Sequence, residues 1–335
     1  MRAVVVQEPG GPESLALVER EDPQPGPGQV VISVAATAVN RADVLQRQGR
    51  YPPPKGATDV LGLEAAGTVS AVGEGVQGWD VGDHACAVLP GGGYAERVAV
   101  PAAVVMPWPP GLDAVGAAAV PEVFATAYDN VFLRGRLQPG ETLLVHGGAS
   151  GVGTALIQLA KRHGCRVVVT AGSEDRVRRC VELGADDGVV YRDADWASAV
   201  LDMTAGRGVD VALDVVGGPY LSANLRCLAE EGRLVVIGLQ GGAKAELNLG
   251  VVLTKRLSVL GSTLRARTTE QKAPLMRRLV DEVWPGFADG SLRPVIDRTV
   301  PLDQIAEAHA ALEAGDVFGK VVVRVAQPAL GTVAP

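Results

Sequence analysis

The stretch His146-Gly147-Gly148-Ala149-Ser150-Gly151-Val152-Gly153 sets four glycines between two apolar runs of different period. Ahead of it, Glu141-Thr142-Leu143-Leu144-Val145 reads as a buried strand; behind it, Leu156, Ile157 and Leu159 with small residues between them read as a helix. A helix that starts directly after a strand aims unpaired backbone N–H groups and the positive end of its dipole at the turn. A diphosphate can sit there if no side chain blocks it. Gly147 and Gly148 would make the tight turn, Gly151 would let backbone approach a pyrophosphate, and Gly153 would let helix and strand pack closely. The spacing departs from the strict G-x-G-x-x-G of dinucleotide sites, so a purely structural turn stays open as the alternative.

The next strand ends in Val168-Val169-Thr170-Ala171-Gly172-Ser173. It lies about 20 residues beyond Gly153, where a site for NAD usually places an acidic residue on the ribose 2′-hydroxyl. No acid stands at the strand end. Ser173 can hydrogen-bond a 2′-phosphate and Arg176 can neutralise it with a planar donor fork, which favours NADPH. The competing reading makes Ser173 a helix cap, with Glu174 and Asp175 favourable to the dipole. Those two carboxylates also count against a phosphate.

The elements that must position this turn form an alternating series. Thr142 to Val145, Arg166 to Thr170, Val189 to Tyr191, Val209 to Asp214, Arg233 to Ile237 and Leu257 to Leu260 read as strands joined by helices, one of them from Ser173, the pattern of a doubly wound parallel six-stranded sheet. Residues 1 to about 120 are different in kind. Short β-branched runs such as Val30 to Val34 and Gly67 to Val72 alternate with turn clusters such as Pro23-Gln24-Pro25-Gly26-Pro27-Gly28, so this part reads as β-rich. A helix over Gln304 to Glu313 and a strand over Lys320 to Val325 could rejoin that first domain, and Gln327 to Pro335 read as frayed.

With 335 residues, 47% apolar and 21% charged, the chain can bury two cores. A net charge of −7 without a long basic stretch argues against nucleic acid or an anionic membrane as partner and for a small molecule. Cys86, Cys165, Cys180 and Cys227 are scattered without C-x-x-C spacing, which fits free thiols in a reducing cytoplasm. No apolar run reaches membrane-spanning length and the start has no signal-peptide layout.

Several motifs in order resemble one family. They are Pro9-Gly10-Gly11-Pro12-Glu13, Asn40-Arg41-Ala42-Asp43, Gln46-Arg47-Gln48-Gly49-Arg50-Tyr51, Leu61-Gly62-Leu63-Glu64, Leu89-Pro90-Gly91-Gly92-Gly93, Pro121-Glu122, Ser150-Gly151-Val152-Gly153 and Gly319-Lys320. Over nearly its whole length the chain resembles the zinc-independent quinone oxidoreductases of the medium-chain dehydrogenase/reductase superfamily, the p53-inducible branch above all. The resemblance implies a GroES-like β-rich domain, residues 1–120 and 266–335, and an inserted Rossmann NADP-binding domain, residues 121–265, with the active cleft between them.

Zinc-dependent relatives carry cysteine and histidine ligands in the segments matching Asn40 to Asp43 and Gly62 to Glu64. Here those segments hold neither, Leu63 stands in the histidine's place, and no four-cysteine lobe occurs, so no metal is expected. His84-Ala85-Cys86 reads as packing in a β segment, and His146, His163 and His309 are scattered without a credible partner. Without a metal, the expected chemistry is hydride delivery from reduced nicotinamide to an acceptor that is already electrophilic, a quinone or an activated alkene.

By resemblance, Asn40, Tyr51 and Ser150 lie near nicotinamide and acceptor, and Thr126 helps to hold the cofactor. Gly148, Ser150, Gly151, Val152 and Gly153 form the cofactor turn, Ser173 and Arg176 take the 2′-phosphate, and Tyr191 stands near the adenosine end. Gly217 and Gly238 border the nicotinamide, with Arg265, Arg267 and Lys320 as further contacts. The local alternatives stay open: Tyr51 as a wall beside Pro52-Pro53-Pro54, Asn40 as a turn residue, and the glycines as ordinary loop residues. The run Leu257 to Ser262 resembles an edge strand that pairs across a homodimer. Three readings remain: an NADPH-dependent quinone reductase, an NADPH-dependent enone or enal reductase, and an NADPH-binding sensor with little turnover.

Overall fold

The computed structural model describes residues 1–192 and 195–325, so Gln327 to Pro335 lie outside the described residues. The chain divides into two compact units, Met1–Glu122 with the segment from Arg265 onward, and Val123–Leu264. In the first unit the chain runs through β1 (Arg2–Val6), β2 (Leu15–Glu19), β3 (Gln29–Val39), β4 (Glu64–Val72), β5 (His84–Val88), β6 (Arg97–Pro101) and β7 (Val105–Pro107). The second unit holds β8 (Thr142–His146), β9 (Arg166–Ala171), β10 (Asp187–Val190), β11 (Val209–Asp214), β12 (Leu228–Val236) and β13 (Ser258–Gly261). The chain then returns to the first unit for β14 (Ile296–Pro301) and β15 (Lys320–Arg324).

The second unit is one parallel sheet in the order β10-β9-β8-β11-β12-β13. β8 and β11 are buried along their whole length. Strands covered on both faces read as unbroken apolar runs, and that is how these two show in the sequence. From β8 the order steps outward to β9 and β10, and from β11 outward to β12 and β13. The carboxyl ends of β8 and β11 therefore flank the point where strand order reverses, the place at which open α/β sheets take ligands.

Several boundaries differ from the sequence reading, the start of β12 and the end of β10 among them. β12 starts at Leu228, five residues before Arg233, because Ala229-Glu230-Glu231-Gly232 bends through a positive φ of 60° at Glu231 and shows no strand alternation. β10 ends at Val190, so Tyr191 falls just beyond it, although its amide still donates to the Ala171 carbonyl at 3.1 Å.

The first unit carries a seven-stranded sheet with the path β14-β15-β3-β4-β5-β7 and β6 paired to β3, beside the two-stranded pair β1-β2. Its centre is made by chain segments far apart: β15 runs antiparallel to β3, with Val321 opposite Val39 and Arg324 opposite Ala36. Val321, Val322 and Val323 are at most 1% exposed, and each such burial stabilises the unit by roughly 1.5–3 kcal/mol. Among the described residues no helix is long and apolar enough to cross a membrane.

Candidate functional site

β8 ends at His146 and the chain turns through Gly147, whose φ is +74°, into the helix Gly151–Arg162. The tightness of this turn sets its composition. A Cβ on Gly148 would stand 2.7 Å from the Val169 side chain, and one on Gly153 would stand 2.4 Å from the Gly147 carbonyl oxygen. Ser150 is the N-cap: its Oγ accepts from the Gly153 amide at 3.0 Å, and its carbonyl accepts from the Thr154 amide. The first amides of a helix have no intrahelical partner, and the cap leaves those of Gly151 and Val152 free at the end of β8. That is the geometry an anionic diphosphate requires.

At the end of β9, Ser173 is exposed and caps the helix Glu174–Leu183, its Oγ accepting from the Arg176 amide at 3.4 Å. The cap is thus real, and the Ser173 hydroxyl proton is still available to another acceptor. Asp175 is engaged with Arg178, which also holds Glu182 at 2.5 Å. The Tyr191 hydroxyl lies beside Gly172, where a Cβ would meet it at 3.2 Å, so Tyr191 and Ser173 share the end of β9. Thr126 sits on the helix Pro121–Ala127, and its carbonyl accepts from Asn130 Nδ2 at 2.8 Å.

The loops after β11 and β12 pack against one another through their glycines. Gly217 has φ +86° and would place a Cβ 2.7 Å from the Gly242 carbonyl, and a Cβ on Gly238 would stand 2.7 Å from the Val215 carbonyl. Close backbone approach by itself accounts for glycine at both positions. His146 is held by hydrogen bonds within the unit, to Thr170 Oγ1 at 3.1 Å and Asn224 Oδ1 at 2.7 Å. Asn224 Nδ2 in turn donates to Asp214 at 3.1 Å. Burial pushes the His146 pKa down, so this chain of polar groups ties β8, β9 and β11 through a neutral imidazole.

In the first unit, Lys320 and Glu64 form an ion pair of 2.7 Å, with the two side chains 3% and 0% exposed. The Lys320 ammonium also donates to Asn40 Oδ1 at 2.7 Å and to the Val39 carbonyl at 3.2 Å, which uses its three N–H groups. Asn40 Nδ2 donates to the same Glu64 oxygen at 2.8 Å, and the other Glu64 oxygen accepts from the Glu122 amide at 2.9 Å. Asn40 is therefore held at both ends of its amide. Lys320 is corrected: its ammonium has no donor left for a cofactor, and it serves to neutralise Glu64 and fix Asn40.

Three residues around this pair carried no signal as site residues. Asp43 accepts from the Asn40 amide at 2.8 Å, and burial pushes its carboxyl up to about 6. Tyr94 hydrogen-bonds His309 Nε2 at 3.2 Å, and burial pushes His309 down to about 3, so His309 also has a partner and stays neutral. Glu122 has its carboxyl pushed up to about 8, first by burial and then by the Glu64 charge. A carboxyl raised in the folded state contributes stability that is complete below the ordinary value of 4.5 and is lost as pH rises through 8. Glu122→Gln cannot ionise. Its melting temperature, measured against the parent's, should gain steadily between those two pH values and level off above the second; a gap independent of pH would contradict this.

Tyr51 is half-buried and its hydroxyl has no hydrogen-bond partner among the described residues. The Arg265 guanidinium lies 5.4 Å from the centre of the Tyr51 ring. Arg265 Nε donates to the Pro90 carbonyl at 2.8 Å and Nη2 to Gln46 at 2.6 Å, while Nη1 is buried without a partner. Lys272 Nζ donates to the Arg265 carbonyl at 2.9 Å. Arg267 is partly exposed.

Comparison with known proteins places the chain. Residues 26–110 match the alcohol dehydrogenase GroES-like domain, and residues 151–281 match the zinc-binding dehydrogenase family. The quinone oxidoreductase of Rattus norvegicus is 32% identical over 328 residues, 96% of this chain and 97% of its own. The chain belongs to the medium-chain dehydrogenase/reductase superfamily. Among solved structures of the superfamily, the Escherichia coli quinone oxidoreductase complexed with NADPH aligns with TM-score 0.87 at 28% identity, over 97% of this chain and all of that one. A NAD-dependent alcohol dehydrogenase aligns with TM-score 0.85 at 36% identity, again over 97% of this chain and all of that one. The first unit is thus a GroES-like domain and the second a Rossmann domain, and the protein is an oxidoreductase.

Zinc, which one of the matched families carries in its description, does not fit this member. Leu63 is apolar and 1% exposed, and the Asn40 amide is consumed by Glu64 and Lys320. The position beside Glu64 already holds a cation, the Lys320 ammonium. His84 and Cys86 do not converge on a metal either: the imidazole stacks on Trp108 with ring centres 4.1 Å apart, and the thiol points at the Pro107 carbonyl.

Proposed function

We propose that the protein is an NADPH-dependent quinone oxidoreductase that works without a metal. The observation that carries this reading is the Lys320–Glu64–Asn40 cluster, in which a lysine ammonium holds the acidic group beside the residues expected to face the acceptor. With no Lewis acid to polarise an alcohol or a simple carbonyl, the acceptor must be electrophilic in itself, as a quinone is. The full-length likeness to quinone oxidoreductases supports the same substrate class.

The residues fit the cofactor. The amides of Gly151 and Val152 would bind the diphosphate, with Gly148 and Gly153 keeping the turn clear. Ser173 and Arg176 would take the 2′-phosphate, and Tyr191 would flank the adenosine. Thr126, Gly217, Gly238 and Arg267 remain proposed contacts on the strength of the resemblance alone. NADPH, when bound, supplies a hydride, and the acceptor takes up one proton with it. Asn40, fixed at both ends, and Tyr51, with its hydroxyl free, would orient the acceptor oxygen; Ser150 has a hydroxyl proton to offer from the helix start.

Purified protein should oxidise NADPH with an ortho-quinone, followed by loss of reduced-nicotinamide absorbance, at a rate unchanged by a chelator and with NADPH preferred to NADH. Sensitivity to the chelator would refute the metal-free chemistry. Preference for NADH would refute the roles of Ser173 and Arg176, and reduction of enones alone would move the acceptor to activated alkenes.

We also propose a homodimer in the cytoplasm. β13 is one of the two edge strands of the six-stranded sheet, and Leu239, Leu247, Leu249, Leu253 and Val259, all close to it in sequence, are exposed. The four cysteines are unpaired and buried, as a reducing compartment allows. Light scattering should give twice the chain mass of 34.6 kDa; a monomer would refute the dimer.

A further inference from the structure

A cavity of about 570 Å³ opens within the GroES-like unit, and its walls carry five cationic side chains, Lys55, Arg97, Arg265, Arg267 and Lys272, and no aspartate or glutamate. In a chain of net charge −7 this one-sided lining is not a sample of the average surface. Two of the five are anomalous. Arg265 is 4% exposed and Lys272 5%, yet among the described residues neither has a carboxylate within ion-pair distance. Buried charges are normally paired, since water lost on burial must be replaced by something of opposite sign.

The surroundings do not supply it. Arg97 is engaged with Asp22, and Lys55 is exposed. Asp43 acts on Arg265 more strongly than Glu122 does, and Glu122 is the acid that acts on Lys272, but neither carboxyl is within ion-pair distance of these cations, and burial pushes the Glu122 carboxyl up to about 8. Arg265 retains one guanidinium nitrogen with no acceptor, and Lys272 has used one of its three N–H groups. A planar donor beside a point charge is a pairing suited to an oxyanion such as a carboxylate, sulfonate or phosphate.

We propose that this cavity receives an oxyanion carried by the electron acceptor, so that the enzyme's acceptors are anionic quinones, anchored by Arg265 and Lys272. The inference rests on the reading of Tyr51 as the residue facing the acceptor. With the guanidinium 5.4 Å from the Tyr51 ring, an acceptor held through its charged substituent would present its carbonyl to the neighbouring hydroxyl. It also reassigns Arg265 from cofactor to acceptor.

The test compares 1,2-naphthoquinone with 1,2-naphthoquinone-4-sulfonate at saturating NADPH. The sulfonate should show a KM lower by about tenfold, the worth of roughly one charge-assisted hydrogen bond, and Lys272→Met should bring the two KM values together. Equal KM values in the parent enzyme would overturn the proposal whether or not the variant folds. Separately, naphthalene-sulfonate, which cannot be reduced, should raise the melting temperature of the enzyme with NADPH already bound. If added NADPH instead displaces it, the oxyanion site is the cofactor's and the proposal falls. Failure to reduce either quinone, with naphthalene-sulfonate binding that Lys272→Met abolishes, would sink the quinone reading and leave the anion site standing.

Discussion

Gly153→Ala should cost at least a hundredfold in NADPH affinity while leaving a folded protein. The added Cβ would stand 2.4 Å from the Gly147 carbonyl oxygen and 2.6 Å from that of Gly148, and both are backbone atoms of the same turn. Neither can swing aside as a side chain would. The helix must instead move off the turn, which carries the amides of Gly151 and Val152 away from the diphosphate and spoils the Ser150 cap at 3.0 Å. A hundredfold loss corresponds to about 2.7 kcal/mol of binding, and the overpacking itself costs about 1–3 kcal/mol of stability. Titration with NADPH, followed by fluorescence or calorimetry beside a thermal melt, checks both figures. Gly10→Ala is the control, since its new Cβ meets nothing closer than 3.6 Å. If Gly153→Ala binds NADPH like the parent, the turn is not the diphosphate site.

What made that turn visible in the sequence was local. A five-residue buried strand, four glycines and an apolar helix lie within about twenty consecutive residues, and each leaves its own periodicity. The six-stranded sheet was legible for the same reason, save at Leu228 to Gly232, where two glutamates and a glycine fill a bend inside a strand. The polar clusters were not legible. His146 finds Asn224 at a separation of 78 residues, and Lys320 finds Glu64 at 256, so no spacing rule links them. Resemblance named Lys320 as a site residue and gave it the wrong partner, because a motif records that a lysine is wanted there and not which atoms its ammonium meets. Glu122 went unseen as an acid because its raised pKa comes from the fold that surrounds it.

The second large effect belongs to that distant pair. Lys320→Met should lower stability by about 3–5 kcal/mol, the cost of breaking a buried ion pair from one side. At a few degrees per kcal/mol for a unit of this size, its melting temperature should fall by roughly 10 °C. The methionine fills much of the same space, so the loss comes from Glu64, left fully buried with only the Asn40 amide and the Glu122 N–H as donors. A further result follows if that is the cause. The double variant Glu64→Gln with Lys320→Met should recover much of the deficit, since a neutral amide does not need the ammonium. Turnover should respond differently from stability. Asn40 loses the donor that fixes its Oδ1 in both variants, so kcat with the quinone should stay low in the double variant even where the melting temperature returns. Recovery of kcat together with stability would mean that the Asn40 orientation does not matter to the reaction, and would remove Asn40 from the site.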